Sequence, residues 1–386
     1  MNSTIENMPL VNVTKHGNSE VNKSWICQWT PIELLVILHV CACGALLSVQ
    51  NYYVIDETAK RHGQTHIILH AEKSCNLTTL KNVTHYNDTS DVIQKEAADI
   101  IMKLELCLTV GSVIPIFICG YLSDVFGRKQ MFIISGIGII IKEVTLLLTI
   151  RLQLPLWSLY VGQVIFAISG KYRGTMVQIY ATVSDITTPG KNRAFRMTVV
   201  QATGMLTAAV TDFVIGIWLR HENFIEPVII SICFSTFAVV SSPLILGIST
   251  MSVSQSPLLS LPMNWFCRDT PQDRKRTLLM CLFVYLLSSF SLTGKLEYQV
   301  LFLMHEPICW NEFEIQVLHA VQDVANTFCV VGIVRLVLHF GNDAIILIFS
   351  SVSGIISTLM LTFSVNSWMV YLRKLTAFKI ICIIFL

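Results

Sequence analysis

Apolar positions in this chain come in long runs, not in the short alternations of a soluble fold. A run of about 20 apolar residues is long enough to cross the hydrocarbon core of a bilayer as a helix. Runs of that kind predict spans at 32–53, 104–122, 131–150, 154–177, 194–219, 227–248, 277–296, 313–338 and 343–363, and a tenth that starts near Ser367. Backbone polar groups in lipid must be satisfied within the chain, so helices are expected. A membrane barrel would instead show ten-residue segments of alternating polarity.

Composition agrees with the pattern. Of 386 residues, 53% are hydrophobic and 13% charged, and the mean hydropathy is +0.62. Soluble domains carry about 25% charged residues. The net charge of +2 is spread over short loops and forms no basic patch of the kind that binds nucleic acid. No metal-ligand cluster, nucleotide loop or nucleophile constellation is evident, so neither an enzyme nor a bound cofactor is expected. The fold class read from these features is an all-α polytopic membrane protein.

Basic residues set the orientation. Arg128 and Lys129 follow the second span, Lys191, Arg193 and Arg196 the fourth, and Arg268, Arg274, Lys275 and Arg276 the sixth. The loops after the third and fifth spans hold only Arg151 and Arg220. This asymmetry places the amino terminus in the cytosol. It divides the chain into a cytosolic arm (1–30), a first six-span half (31–249) with an outer loop (54–97), a cytosolic central loop (250–276) and a second half (277–386). Lys60, Arg61, Lys73, Lys81 and Lys95 in the outer loop run against the rule. The polar arm is not followed by a cleavable signal sequence, because the first apolar run is too long for a signal core.

The outer loop carries glycosylation triplets at Asn76, Asn82 and Asn87. Triplets at Asn2, Asn12 and Asn22 would be silent in a cytosolic arm. Most of the 12 cysteines fall inside spans, where a thiol acts as a small apolar group. Cys75 and Cys309 fall in outer loops of opposite halves, facing an oxidising compartment. They either form a bridge between the halves or stay as two separate thiols.

The segment GYLSDVFGRK, 120–129, is the cytosolic loop between spans two and three. Gly120 is read as permitting close helix approach and Gly127 as permitting a tight turn. Asp124 is placed to cap or pair, and Arg128 anchors the loop. The pattern G-x-L-S-D-x-x-G-R-K resembles the loop 2–3 signature of the major facilitator superfamily. SDITTPGKNRAFRM, 184–197, and PICW, 307–310, further resemble the proton-coupled folate transporter family, solute carrier family 46. The resemblance runs from about Pro31 to Tyr371. It implies two pseudo-repeated six-span halves related by an axis along the membrane normal. Phe126-Gly127-Arg128 and Phe340-Gly341-Asn342, after spans two and eight, form a weak internal echo. The resemblance also implies a glycosylated first outer loop and a Cys75–Cys309 disulfide.

What the resemblance implies functionally is secondary transport of a small organic solute, anionic and folate-like or otherwise. The mechanism would be alternating access with ion or proton coupling, in a plasma, endosomal or lysosomal membrane. Solute, proton and bilayer are the expected partners, and self-association stays open. Gating is expected of Asp124, Gly127, Arg128, Asp185, Arg193 and Arg196; Arg193 and Arg196 can pair with Asp185 across its loop when the inner side is closed, or form only a solvated surface ion pair. In the folate transporter the position of Gln201 is a glutamate that takes part in proton coupling. Glutamine cannot titrate, so either Asp323 or another acid carries protons or the protein is not a proton symporter.

Ionisable groups at membrane depth are functional candidates. Asp323 lies about 15 Å along its span at 1.5 Å per residue, with His319 on the same face and Gln322 and Asn326 nearby. It is read as proton relay, solute contact or structural hydrogen bond. Lys171 and Arg173 could hold an anion or snorkel to the interface. Asp212 is placed at the outer interface or paired with Lys142, and His39 is read as structural. Beyond WMVYL, 368–372, Arg373, Lys374 and Lys379 interrupt the tenth apolar run, and the resemblance ends. The second half is therefore expected to be incomplete. Loss of an eleventh helix would remove a partner of Asp124. The alternative function is then a short, non-transporting isoform that regulates a full-length partner.

Overall fold

The structure, a computed structural model, describes residues 21–63, 84–187, 191–219, 223–247 and 312–340, with isolated positions between 276 and 359. Among these residues every regular element is helical. The helices are α1 (Val21–Arg61), α2 (Thr84–Phe126), α3 (Arg128–Leu152), α4 (Leu159–Ile168), α5 (Lys171–Ile186), α6 (Lys191–Leu219), α7 (Ile225–Gly247) and α8 (Glu312–Phe340). A 3₁₀ turn, Leu156–Ser158, leads into α4. Five stretches are long and apolar enough to cross a membrane: Pro31–Arg61, Val92–Phe126, Arg128–Leu152, Arg193–Leu219 and Ile225–Leu246. The expected spans at 277–296 and 343–363, and the tenth, lie outside the described residues.

Two helices outrun their apolar windows. Helix α1 continues past residue 53, and α2 begins twenty residues before 104. Charged pairs one turn apart support these extensions: Asp56–Lys60 at 2.6 Å and Asp99–Lys103 at 2.5 Å. The segment read as outer loop, 54–97, is therefore helical at both ends, and His62 of one end bonds Glu96 of the other at 2.7 Å. Hydropathy marks where lipid begins, not where a helix does.

The core is layered along the bundle. At one end, which carries Arg128, Ile32, Leu35 and Val36 of α1 pack with Phe132, Ile179, Val200 and Leu246. In the middle, Leu108, Ile139 and Phe166 join α2, α3 and α4. At the far end, Val49 and Tyr53 of α1 meet Leu104, Leu146, Leu219 and Val228, and this layer also takes in Leu303, Trp310, Ile315 and Leu318 of the second half. Helix α8 lies on α6. Gly216 makes their approach possible, since a Cβ there would stand 2.9 Å from Cβ of Gln316. The far end is thus closed by a core shared between the two halves.

Candidate solute site

The fourth span, read from sequence as one helix over 154–177, is two helices. Helix α4 stops at Ile168, and Gly170 and Lys171 follow with φ of 96° and 59°. Glycine takes this conformation freely, whereas lysine does so at a cost of about 1–2 kcal/mol. Irregular backbone at membrane depth persists only where protein or a water-filled cavity surrounds it. Here the surroundings are specific. Ser135 of α3 donates to the Ser169 carbonyl at 2.8 Å, and Cys119 of α2 donates to it at 3.9 Å. Ser169 Oγ donates to the Phe166 carbonyl at 2.8 Å. Gly138 of α3 lies directly against Ser169: a Cβ there would fall 2.5 Å from Ser169 Cβ.

The break opens the amino end of α5, where no side chain caps the first N–H groups. Such an end carries about half a positive charge. Lys171 adds a full one. Its Nζ donates to Thr109 Oγ1 of α2 at 3.3 Å and stands 3.7 Å from Oε2 of Glu105. Lys171 keeps 22% of its side chain accessible against 9% for Glu105. Along α5, Thr175 and Gln178 are fully buried, and their side-chain polar atoms have no hydrogen-bond partner among the described residues. Tyr172 stacks on His39 of α1, with ring centroids 5.3 Å apart, and feels the charge of Asp323 on α8. The stacked, buried His39 fits its structural reading.

Polar groups continue behind the break. Lys142 of α3 lies over the Phe166 ring, 5.2 Å from its centroid, within the field of Glu105, Lys171 and Glu143. Glu143 accepts from Ser231 and Ser235 of α7 at 2.5 and 2.8 Å. Gln163 of α4 donates to Gln50 of α1 at 3.0 Å. Lys142 therefore belongs to this cluster and does not pair with Asp212. Asp212 on α6 instead faces Asp323 closely enough for their charges to interact.

Asp323 accepts from Asn326 at 3.3 Å, and its carbonyl accepts from Thr327. It sits on α8, which packs on α6, with His319 one turn away. Gln201 of α6 accepts a hydrogen bond from Tyr180 of α5. Arg173 follows Lys171 in the first turn of α5.

At the Arg128 end, Gly127 makes the turn between α2 and α3 with φ 100° and ψ 148°. Arg128 gathers three partners: Asp124 at 2.7 Å, Ser123 at 2.5 Å and Asp185 of α5 at 3.2 Å. In this conformation Asp185 is held by Arg128. Arg196 points along α6 toward α1 and binds Glu33, with an Nη2–Oε2 distance of 3.0 Å, while Arg193 donates to the Thr187 carbonyl at 3.1 Å. The helical face of α6 turned to α1 selects Glu33, and Arg128 already occupies Asp185. Gly120 is also corrected: among the described residues a Cβ there would meet nothing within 4 Å. Cys75, Cys309, Asn76 and Asn82 lie outside the described residues, and Asn87 falls in the first turn of α2.

Sequence reading overlooked Glu105 and the break. Glu105 sat at the edge of an apolar window and passed as its boundary. Its signal was a carboxylate within a run that the helix enters twenty residues earlier. The signal for the break was SGKYRG, 169–174, two glycines around two charges midway along an apolar stretch.

No protein-family model matches the chain. It is 20% identical over 235 residues to the proton-coupled folate transporter of Bos taurus, covering 58% of this chain and 51% of that protein. It is 22% identical over 231 residues to the lysosomal proton-coupled steroid conjugate and bile acid symporter SLC46A3 of Homo sapiens, covering 57% and 50%. The chain spans about half the length of these curated relatives, which are transporters and not enzymes. Its structure overlays the crystal structure of the human organic anion transporter MFSD10 (TETRAN) with a TM-score of 0.56 at 13% identity, covering 92% of this chain and 83% of that one. The nucleoside transporter NupG gives 0.55 at 14% identity, covering 91% and 79%. The chain is thus a multi-pass membrane protein with the major facilitator fold. Within that fold its sequence resembles solute carrier family 46.

Proposed function

We propose that the protein is a secondary transporter of small organic anions, working by alternating access, with the break in the fourth span as its solute site. The observation that carries this reading is Lys171, a partly accessible ammonium at the uncapped amino end of α5. A carboxylate or sulfate there gains both the lysine charge and the free N–H groups. Charge-assisted hydrogen bonds of this kind contribute about 1.5–3 kcal/mol each. Folates, bile acids and steroid conjugates, named for the relatives above, share an anionic group on a large apolar or aromatic body. The half-buried Tyr172, stacked on His39, offers a flat surface to such a body.

Alternating access then requires the far-end core shared by the halves to part, while the Arg128 end carries the opposing contacts. Asp124, Arg128 and Asp185 supply a cluster able to break and re-form there, on the cytosolic side in the orientation read from basic loops. Asp212 on α6 and Asp323 on α8 lie on the two helices that pack the halves together, where alternating access would move them. A Cys75–Cys309 bridge and glycans on Asn76, Asn82 and Asn87 would mark the opposite, outer face. The membrane is the plasma membrane or that of an endosomal or lysosomal compartment.

Reconstitution of the 386-residue chain into liposomes tests the reading, with labelled folic acid, taurocholate and estrone sulfate as probes. The expected result is saturable uptake above that of protein-free vesicles, weakened about 10- to 100-fold by K171A, as loss of one charge-assisted contact implies. Uptake of no probe, or uptake indifferent to K171A, overturns it.

A further inference from the structure

We propose that Glu105 is the proton-binding partner of the solute site, neutralising Lys171 while the site is empty and taking up a proton when an organic anion claims that lysine. This rests on the transport reading above and adds the coupling group.

Two buried carboxylates lie near the break, and they are held differently. Glu143 accepts from two serine hydroxyls on α7. Glu105 has no such support: its Oε1 has no hydrogen-bond partner among the described residues, and its Oε2 is 3.7 Å from Lys171 Nζ. That separation exceeds a direct hydrogen bond. What faces the Glu105 carboxyl is therefore the nearby lysine charge and not a hydrogen-bond donor. Once that charge is engaged elsewhere, a buried carboxylate with no donors is costly as an anion and takes a proton.

Charge balance makes the same point. Counted at formal charge, the two carboxylates Glu105 and Glu143 match the two lysines Lys142 and Lys171. Entry of a monoanion leaves one excess negative charge in a low-dielectric layer. One proton on a Glu105 oxygen restores neutrality, and no other bond forms or breaks. When the anion leaves, the proton leaves and the Lys171 pair returns. The charged groups around Glu105 on each packed helix fit this assignment. Lys171 comes from α5. Lys142 comes from α3, fixed over Phe166, with Glu143 beyond it. Cys43 of α1 shares the field of Lys142 and Glu143. Tyr160 of α4 lies instead by Lys103 and Asp99. Lys171, the more accessible lysine, is the one an anion can engage.

The test has a ligand-free arm and a transport arm. Infrared spectra of the purified full chain at neutral pH report protonated carboxyls by their C=O stretch. K171A and the gentler K171Q, each confirmed as folded by thermal melting, should gain carboxyl-band intensity in difference spectra against the unaltered protein, and K171A/E105Q should lack that gain. No gain in either variant, or a gain that survives E105Q, overturns the proposal. In liposomes, an acid exterior should accelerate folic acid or taurocholate uptake by the unaltered chain. That acceleration should vanish in E105Q and return in E105D. Acceleration that persists in E105Q sinks the coupling role and leaves transport standing. A Glu105-dependent band without uptake of any probe sinks the transport reading while the Glu105–Lys171 proton linkage holds.

Discussion

Replacing Gly138 by alanine puts the packing behind the broken span to a quantitative test. The added Cβ would stand 2.5 Å from Ser169 Cβ and 2.0 Å from its Oγ. Apolar atoms rest about 3.5–4.0 Å apart, so α3 and the α4–α5 junction must separate by about 1 Å. The hydroxyl could swing away, but the Cβ cannot. Separation also stretches the Ser135 bond to the Ser169 carbonyl, now 2.8 Å. Overpacking of this kind costs about 1–3 kcal/mol, and the lost hydrogen bond adds about 1 kcal/mol. G138A should therefore lower stability by about 2–4 kcal/mol in thermal melting of the detergent-solubilised protein. S169G removes both clashing atoms, so G138A/S169G should recover most of the loss, a coupling expected only of residues in contact. G120A serves as a control: its Cβ meets open space, and glycine to alanine in a helix is worth up to about 1 kcal/mol of added stability. Equal stability of G138A and G120A would refute the close approach of α3 to the break.

Three further outcomes follow from named contacts. R196A strands Glu33 in a site where the pair is only 4% and 15% accessible, and should cost about 3–5 kcal/mol, while E33Q/R196Q costs less; equal losses would deny the pairing. S231A/S235A removes both donors to Glu143 and should lower stability by about 3 kcal/mol or more, read by the same melting assay, whereas S241A, whose hydroxyl bonds only its own helix, should be near neutral. R128A breaks contacts with Asp124 and Asp185 that are 65% and 35% accessible, so its stability should stay within about 1 kcal/mol while its transport rate changes; an unchanged rate would remove Arg128 from the gate.

Local chemistry was legible in the chain, and partner choice was not. The turn at Gly127 follows from a glycine between an apolar run and two bases, and its positive φ agrees. Spans one to three, five and six follow from apolar length. Arg196 shows the limit: proximity in sequence suggested Asp185, but the rotation of α6 turns Arg196 to Glu33, 163 positions away. Gly120 shows another, since a glycine permits contact without requiring it. The break in the fourth span depends on Ser135 and Gly138 of a different helix, which periodicity along one segment does not report. Glu105 was hidden because hydropathy scores a window, and one carboxylate at its edge barely changes the mean.

The most direct test of the central claim is solute protection of a thiol placed at the break. K171C, in the purified full chain, is treated with a small thiol reagent with and without folic acid or taurocholate, and modification at that position is followed by peptide mass. The account predicts that the position is modified in the empty protein and shielded by the anion that is transported. Modification at the same rate with a transported anion bound would place the solute elsewhere and contradict the account.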